Sequence, residues 1–185
     1  TNSLISTVKA FKINTNDALD GVISKVNEVG NKFAVTNKDI AEGLERSASS
    51  MAVANNTMDQ TIALLTAATE ITRDADSAGT ALKTISMRIR GIDEETGTTT
   101  KELKAMASSI KGLSGVSVFT DETKQTYKST YQILQEISKV FDKLSDKSQA
   151  TLVEDLAGKR QGNVVASILS NFSTAEKALE VQANS

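Results

Sequence analysis

Apolar residues return every three or four positions along nearly the whole chain, the spacing that places them on one face of an α-helix. Leu4, Val8 and Phe11 form a first short stripe, and Leu19, Val22, Ile23, Val26 and Val29 a second, with Gly30 placed to end that helix. Thr36 and Asp39 predict a capping box, flanked by Val35 and Ile40 as a hydrophobic staple, and Ile40, Leu44, Ala48, Met51 and Asn55 continue along one face. Thr57 with Gln60 predicts the next start, followed by the stripe Met58, Ile62, Leu65 and Thr69. Ala78, Leu82, Ile85, Ile89 and Ile92 come next, with Asp74 and Asp76 at the start, Arg88 and Arg90 at the end, and Gly91 as the stop.

The pattern lapses at 93–100, an acidic, threonine-rich stretch that reads as a flexible loop and candidate boundary. Thr99 with Glu102 predicts a short helix through Leu103, Met106, Ile110 and Leu113. Gly112 and Gly115 then interrupt, and residues 116–119, VSVF, read as a short extended piece packed on the helices. Ser129 and Gln132 open a helix with a broad face of Ile133, Leu134, Ile137, Val140, Phe141 and Leu144; Ser145 opens another with Leu152, Val153 and Leu156 inward. Val164, Val165, Ile168, Leu169 and Phe172 follow, and Ser173 with Glu176 opens a last segment through Leu179. These signals predict an all-α fold, a compact multi-helix bundle of about eight or nine short to medium amphipathic helices. No stripe keeps a heptad long enough for a coiled coil, and there is no internal repeat.

Composition narrows the chemistry. With 185 residues, 39% hydrophobic and 24% charged, the chain can build one sizeable core or two small ones. Proline, histidine, cysteine and tryptophan are all absent. Without proline the helices run uninterrupted; without histidine the commonest general base is missing; without cysteine there are no disulfides or thiolate metal sites. The net charge of −2 offers no global cationic field for nucleic acid or anionic lipid. No apolar run is long enough to span a membrane, and the opening TNSLISTVKAFKINTND lacks the design of a signal peptide. The first residue is not Met, which suggests a piece of something longer.

Four constellations could carry chemistry. GKRQGN, Gly158 to Asn163, has the composition of a phosphate cradle, but its lysine follows the first glycine, no Ser or Thr comes after it, and an amphipathic helix precedes it. It reads as a corner between helices whose cations Lys159 and Arg160 suit a helix end and could meet an acidic surface. Asp93, Glu94 and Glu95 lack the alternating ligands of a calcium loop and read as solvated. Glu70, Asp74 and Asp76 are candidates, by residue type only, for the paired acids of a cell-wall hydrolase, although acids at a helix start are ordinarily dipole partners. Arg73, Arg88 and Arg90 form no basic stripe with stacking aromatics. The aromatics Phe11, Phe33, Phe119, Tyr127, Tyr131, Phe141 and Phe172 read as core. No catalytic, cofactor or metal site is derived; Arg88, Arg90, Lys159 and Arg160 are the candidate partner-binding residues.

Two long strings go beyond composition. IALLTAATEITRDADSAGTALKTISMRIRGIDEE, from Ile62 to Glu95, and TYKSTYQILQEISKVFDKLSDKSQATLVEDLAGKRQGNVVASILSNFSTAEKALE, from Thr126 to Glu180, resemble the core region of phage tail tape-measure proteins. The likeness extends upstream through DIAEGLERSASSMAVANNTMDQ. It covers roughly residues 36–182, which the resemblance marks as a core domain after an N-terminal helical segment, 1–35. It implies a virion structural protein in the tail tube lumen, made in the bacterial host cytoplasm or encoded by a prophage. The implied roles are tail assembly, tail-length determination and genome delivery. The implied partners are tail-tube and tail-tip proteins, further copies of the chain, and the host envelope; no cofactor and no catalytic residue come with the resemblance. A peptidoglycan hydrolase module and a helical adaptor domain stay open as alternatives.

Overall fold

A computed structural model describes residues 2–13 and 16–185. Thr1, Asn14 and Thr15, which fall in the expected N-terminal segment, lie outside the described residues. The helices are α1 (Asn2–Ala10), α2 (Asn16–Lys32), α3 (Asn37–Val53), α4 (Met58–Thr72), α5 (Ala75–Ile89), α6 (Lys101–Lys104), α7 (Met106–Ser114), α8 (Thr130–Val140), α9 (Asp146–Ala157), α10 (Gly162–Ser170) and α11 (Phe172–Ala183). A 3₁₀ turn, Phe141–Lys143, follows α8. The fold is all-α, as the spacing predicts, with eleven helices among the described residues against the expected eight or nine.

The starts most clearly written in the sequence are the ones that form. Thr36 Oγ1 accepts from the Asp39 amide while Asp39 Oδ2 accepts from the Thr36 amide, each at 3.0 Å. Thr57 and Gln60 reproduce the same reciprocal pair at 3.0 and 2.9 Å. Ser129 and Ser145 cap α8 and α9 through the Gln132 and Ser148 amides, each at 3.1 Å. Gly91 ends the α5 segment at φ +79°, with Ile92 beyond the helix.

α4 is the hub. It packs against α3, α5, α8, α10 and α11, and every residue from Thr61 to Thr69 is buried. The single expected stripe is therefore too narrow, because polar threonines share the interior. Thr61 Oγ1 and Thr66 Oγ1 donate to the carbonyls one turn back, Thr57 at 2.9 Å and Ile62 at 2.8 Å, so their hydroxyls are satisfied within the helix. Around this axis α3 crosses α5, α9 joins α5, α7 and α10, and α1 lies on α2 and α3. Asp59 gathers the ends: its carboxylate takes Lys25 Nζ from α2 at 2.9 Å, and its carbonyl takes Gln182 Nε2 from α11 at the same distance. Val22, Val26 and Val29 of α2 belong to the same buried cluster as α3 to α11.

Other expectations need correction. α2 runs past Gly30 to Lys32, and Gly30 does not adopt the left-handed conformation that would stop it. Ile23 on that helix is exposed. Asn55 lies beyond α3 at φ +67°, outside the helical face assigned to it. Thr100, one residue after the expected Thr99, caps α6 through the Leu103 amide, and the helix breaks at Ala105 before α7 begins. Gly112 sits inside α7, and Gly115 alone, at φ +79°, ends it. Asn171, not Ser173, precedes α11 and separates Phe172 from the helix before. Residues 116–119, by contrast, pack on the helices as expected, with Val116 and Val118 buried in the core; Phe119 makes one antiparallel bridge to Tyr127, supported by Lys128 N–H donating to the Val118 carbonyl at 2.9 Å.

An unhindered glycine inside α2 gives a simple check on the helical register. A Cβ at Gly21 would meet nothing within 4 Å, so Gly21→Ala is expected to stabilise the protein by about 0.5–1 kcal/mol, through helix propensity and a less flexible unfolded chain. Urea denaturation followed by circular dichroism reads this; a loss of stability would mean that Gly21 is not in an open helical turn.

Candidate functional site

Gly158 ends α9 with its amide donating to the Glu154 carbonyl at 2.8 Å, and adopts φ +67°. The chain then turns through the exposed Lys159 and Arg160, and Gly162 begins α10. GKRQGN is thus the corner that its residue order predicts. The corner faces the acidic loop. Asp93 closes that loop on itself: Oδ1 accepts from the amides of Glu95 at 2.8 Å and Thr96 at 2.9 Å, while the Asp93 amide donates to the Thr98 carbonyl at 2.7 Å. The Thr96 amide foremost, then that of Glu95, holds the Asp93 carboxyl below the usual carboxylate range.

Glu94 reaches from the loop to the corner. Its Oε2 lies 3.5 Å from Arg88 Nη1 and is buried without a hydrogen bond. A Cβ on Gly158 would stand 3.0 Å from Glu94 Oε1 and 3.5 Å from Arg88 Nη1, so the missing side chain leaves the room in which this pair sits. Arg88 also donates Nε to the Asp155 carbonyl at 2.8 Å, and Ser109 Oγ of α7 donates to Asp155 Oδ2 at 2.6 Å. The result is a cleft of about 580 Å³ between α5, the loop and the corner, bordered by Lys83, Arg88, Glu94, Glu154, Lys159 and Arg160.

Of the four candidate partner-binding residues, Arg88, Lys159 and Arg160 therefore meet at one cleft, and Arg90 does not line it. Arg90 Nη1 donates to the Val53 carbonyl at the end of α3 at 2.9 Å, and its guanidinium lies 4.8 Å from the centre of the Tyr127 ring. Arg73, left-handed at φ +58°, donates Nη1 to the Ala34 carbonyl at 3.1 Å. Arg73, Arg88 and Arg90 thus each donate to a backbone carbonyl of a distant segment.

The acids weighed for hydrolysis have separate structural partners. Glu70 Oε1 accepts from Asn171 Nδ2 and Thr174 Oγ1, each at 3.1 Å, and so binds α4 to the start of α11. Asp76 faces Arg46 at 3.6 Å on the surface. Asp74 caps α5, accepting the Ser77 amide at 3.0 Å, and the two Ser77 hydrogen bonds lower its carboxyl from the ordinary 3.8. Being lowered in the folded state, this group stabilises above its unfolded value and loses that contribution as pH falls through the folded one. Asp74→Ala is accordingly expected to cost about 0.5–1 kcal/mol at neutral pH, with the deficit closing below the ordinary 3.8. A deficit unchanged down to acid pH would remove the capping role.

Sequence reasoning misses Asn56, Asp155 and the Glu94–Gly158 approach, because each depends on residues far along the chain. Asn56 is buried in the α3–α4 turn. Its Nδ2 donates to the carbonyls of Met51 at 3.0 Å and Ala54 at 3.2 Å and to Thr130 Oγ1 at 3.0 Å, while Oδ1 accepts the Tyr131 amide at 2.8 Å. The local signal is the side-by-side Asn55–Asn56 pair before a capping threonine, a composition that marks a turn.

A family model described as phage-related minor tail protein matches residues 1–158. The match begins within the N-terminal stretch where the likeness to tape-measure proteins is weaker, and it stops at the Gly158 corner, before α10 and α11. No solved structure matches the chain.

Proposed function

The chain belongs to the phage-related minor tail protein family, a structural assignment that places it in the virion tail, and from that premise we propose that it is a folded helical module of a tape-measure protein. The observation that carries this reading is the family match over residues 1–158 together with the two long strings that resemble the tape-measure core. A globule of this length has a radius of gyration of about 16 Å, whereas one continuous helix would extend about 280 Å. A bundle therefore adds little reach, and the module acts beside the ruler, in assembly and delivery, rather than as ruler length. Its helix faces and charged corner meet tail-tube and tail-tip proteins or further copies.

In-frame deletion of residues 36–182 in the phage tests the role. The expected result is a failure of tail assembly, an altered tail length in electron micrographs, or loss of infectivity. Infectious particles with tails of unchanged length would overturn it. The same phage preparations serve a zymogram on purified peptidoglycan; clearing that disappears with Glu70→Gln, Asp74→Asn or Asp76→Asn would move the function to cell-wall hydrolysis.

A further inference from the structure

The acidic loop supplies one wall of the cleft at the Gly158 corner. With the loop in place its border is charge-balanced: Lys83, Arg88, Lys159 and Arg160 face Asp93, Glu94, Glu95 and Glu154. Three of those four acids belong to the loop, so the loop's departure would leave four cations against Glu154 alone. We propose that this cleft is a docking site for an acidic segment of a partner protein, and that the loop at 93–98 holds it in the free chain as an internal competitor.

The geometry fits a competitor that can be displaced. The loop's hydrogen bonds run within itself, from Asp93 to Glu95, Thr96 and Thr98, so it can move without losing them. Its ion pair to the cleft, Glu94 with Arg88, is long at 3.5 Å and leaves Oε2 buried without a hydrogen bond. A carboxylate held this way gives up little on leaving and regains hydration. Arg88 stays in position because the Asp155 carbonyl holds it independently. Gly158 supplies the space for an incoming carboxylate as it does for that of Glu94, and Lys159 and Arg160 are exposed beside it. Carboxylates suit the site better than nucleic acid, because no aromatic ring lines it for a base to stack on.

The test is fluorescence anisotropy with a labelled hexaglutamate peptide on the full chain. This binding concerns the isolated chain and stands apart from the tail-length experiment. Glu94→Gln is expected to tighten binding by about two- to threefold, the modest gain from weakening a competitor that is itself weakly held. The pair Lys159→Glu with Arg160→Glu is expected to abolish binding, while Lys143→Glu with Lys147→Glu, an equal charge change at exposed positions elsewhere, leaves it intact. Circular dichroism confirms that each variant is folded. Absence of binding, equal affinity of the wild type and Glu94→Gln, equal losses from both charge reversals, or stronger binding of an oligothymidylate of equal charge would each overturn the proposal.

Discussion

Gly79→Ala is expected to destabilise the protein by about 3 kcal/mol, lowering the thermal midpoint by about 6–12 °C for a chain of this size. The reason is the crossing of α3 and α5. A Cβ on Gly79 would stand 2.5 Å from the Gly43 carbonyl oxygen and 2.8 Å from Arg46 Cβ. The first neighbour is backbone and cannot rotate away, so the two helices must separate. Separation strains the core on both sides, since α3 and α5 each also pack on α4. Alanine's better helix propensity offsets about 1 kcal/mol of this, which is why the net figure is below the steric cost. Gly43→Ala is the informative comparison: there the added Cβ meets the Leu65 side chain at 2.6 Å, a group that can change rotamer, and the loss should be smaller. Equal midpoints for the wild type and Gly79→Ala would mean that the helices do not cross this closely.

Asn56→Asp is expected to be at least as damaging at neutral pH, about 3 kcal/mol or more, although it changes no heavy-atom shape. The Asn56 amide donates to two carbonyls and to Thr130 Oγ1. A carboxylate would turn acceptor against acceptor in a place that is 5% exposed. The sign of the pH dependence follows. Burial against carbonyls raises the new carboxyl above its unfolded value of about 3.9, so the folded state binds the proton more tightly and stability recovers as pH falls from 7 toward 4. Asn56→Ala lacks this titration and should show a loss of about 2–3 kcal/mol that does not change over the same range. Denaturant melts of both variants across pH separate the two; parallel profiles would show that the Asn56 amide is not the donor to these carbonyls.

The helices that are legible in the sequence are those whose ends are encoded locally. Thr36 with Asp39 and Thr57 with Gln60 need only each other. Gly91, Gly115 and Gly158 stop helices by a positive φ that glycine adopts without a side-chain clash. Interruptions imposed from a distance are not legible. The α10–α11 break follows Asn171, whose Nδ2 donates to the Ala67 carbonyl and to Glu70, both on α4. The burial of α4 on all sides hides behind its threonines, whose hydroxyls return to their own helix. The cleft divides in the same way. The basic corner and the acidic loop each stand out by composition, but their meeting at Gly158 depends on how α5 and α9 pack, and local spacing carries no record of that.

If the chain serves the tail through its packed helices, a phage encoding Gly79→Ala and a phage encoding Glu70→Gln, Asp74→Asn and Asp76→Asn together should part company when complete tails are counted by electron microscopy. The growth temperature should be one at which the isolated Gly79→Ala chain has melted and the isolated triple variant has not. The first phage is expected to yield few or no complete tails and the second to yield them in normal number. Normal tails from the first phage would contradict a role that depends on this fold.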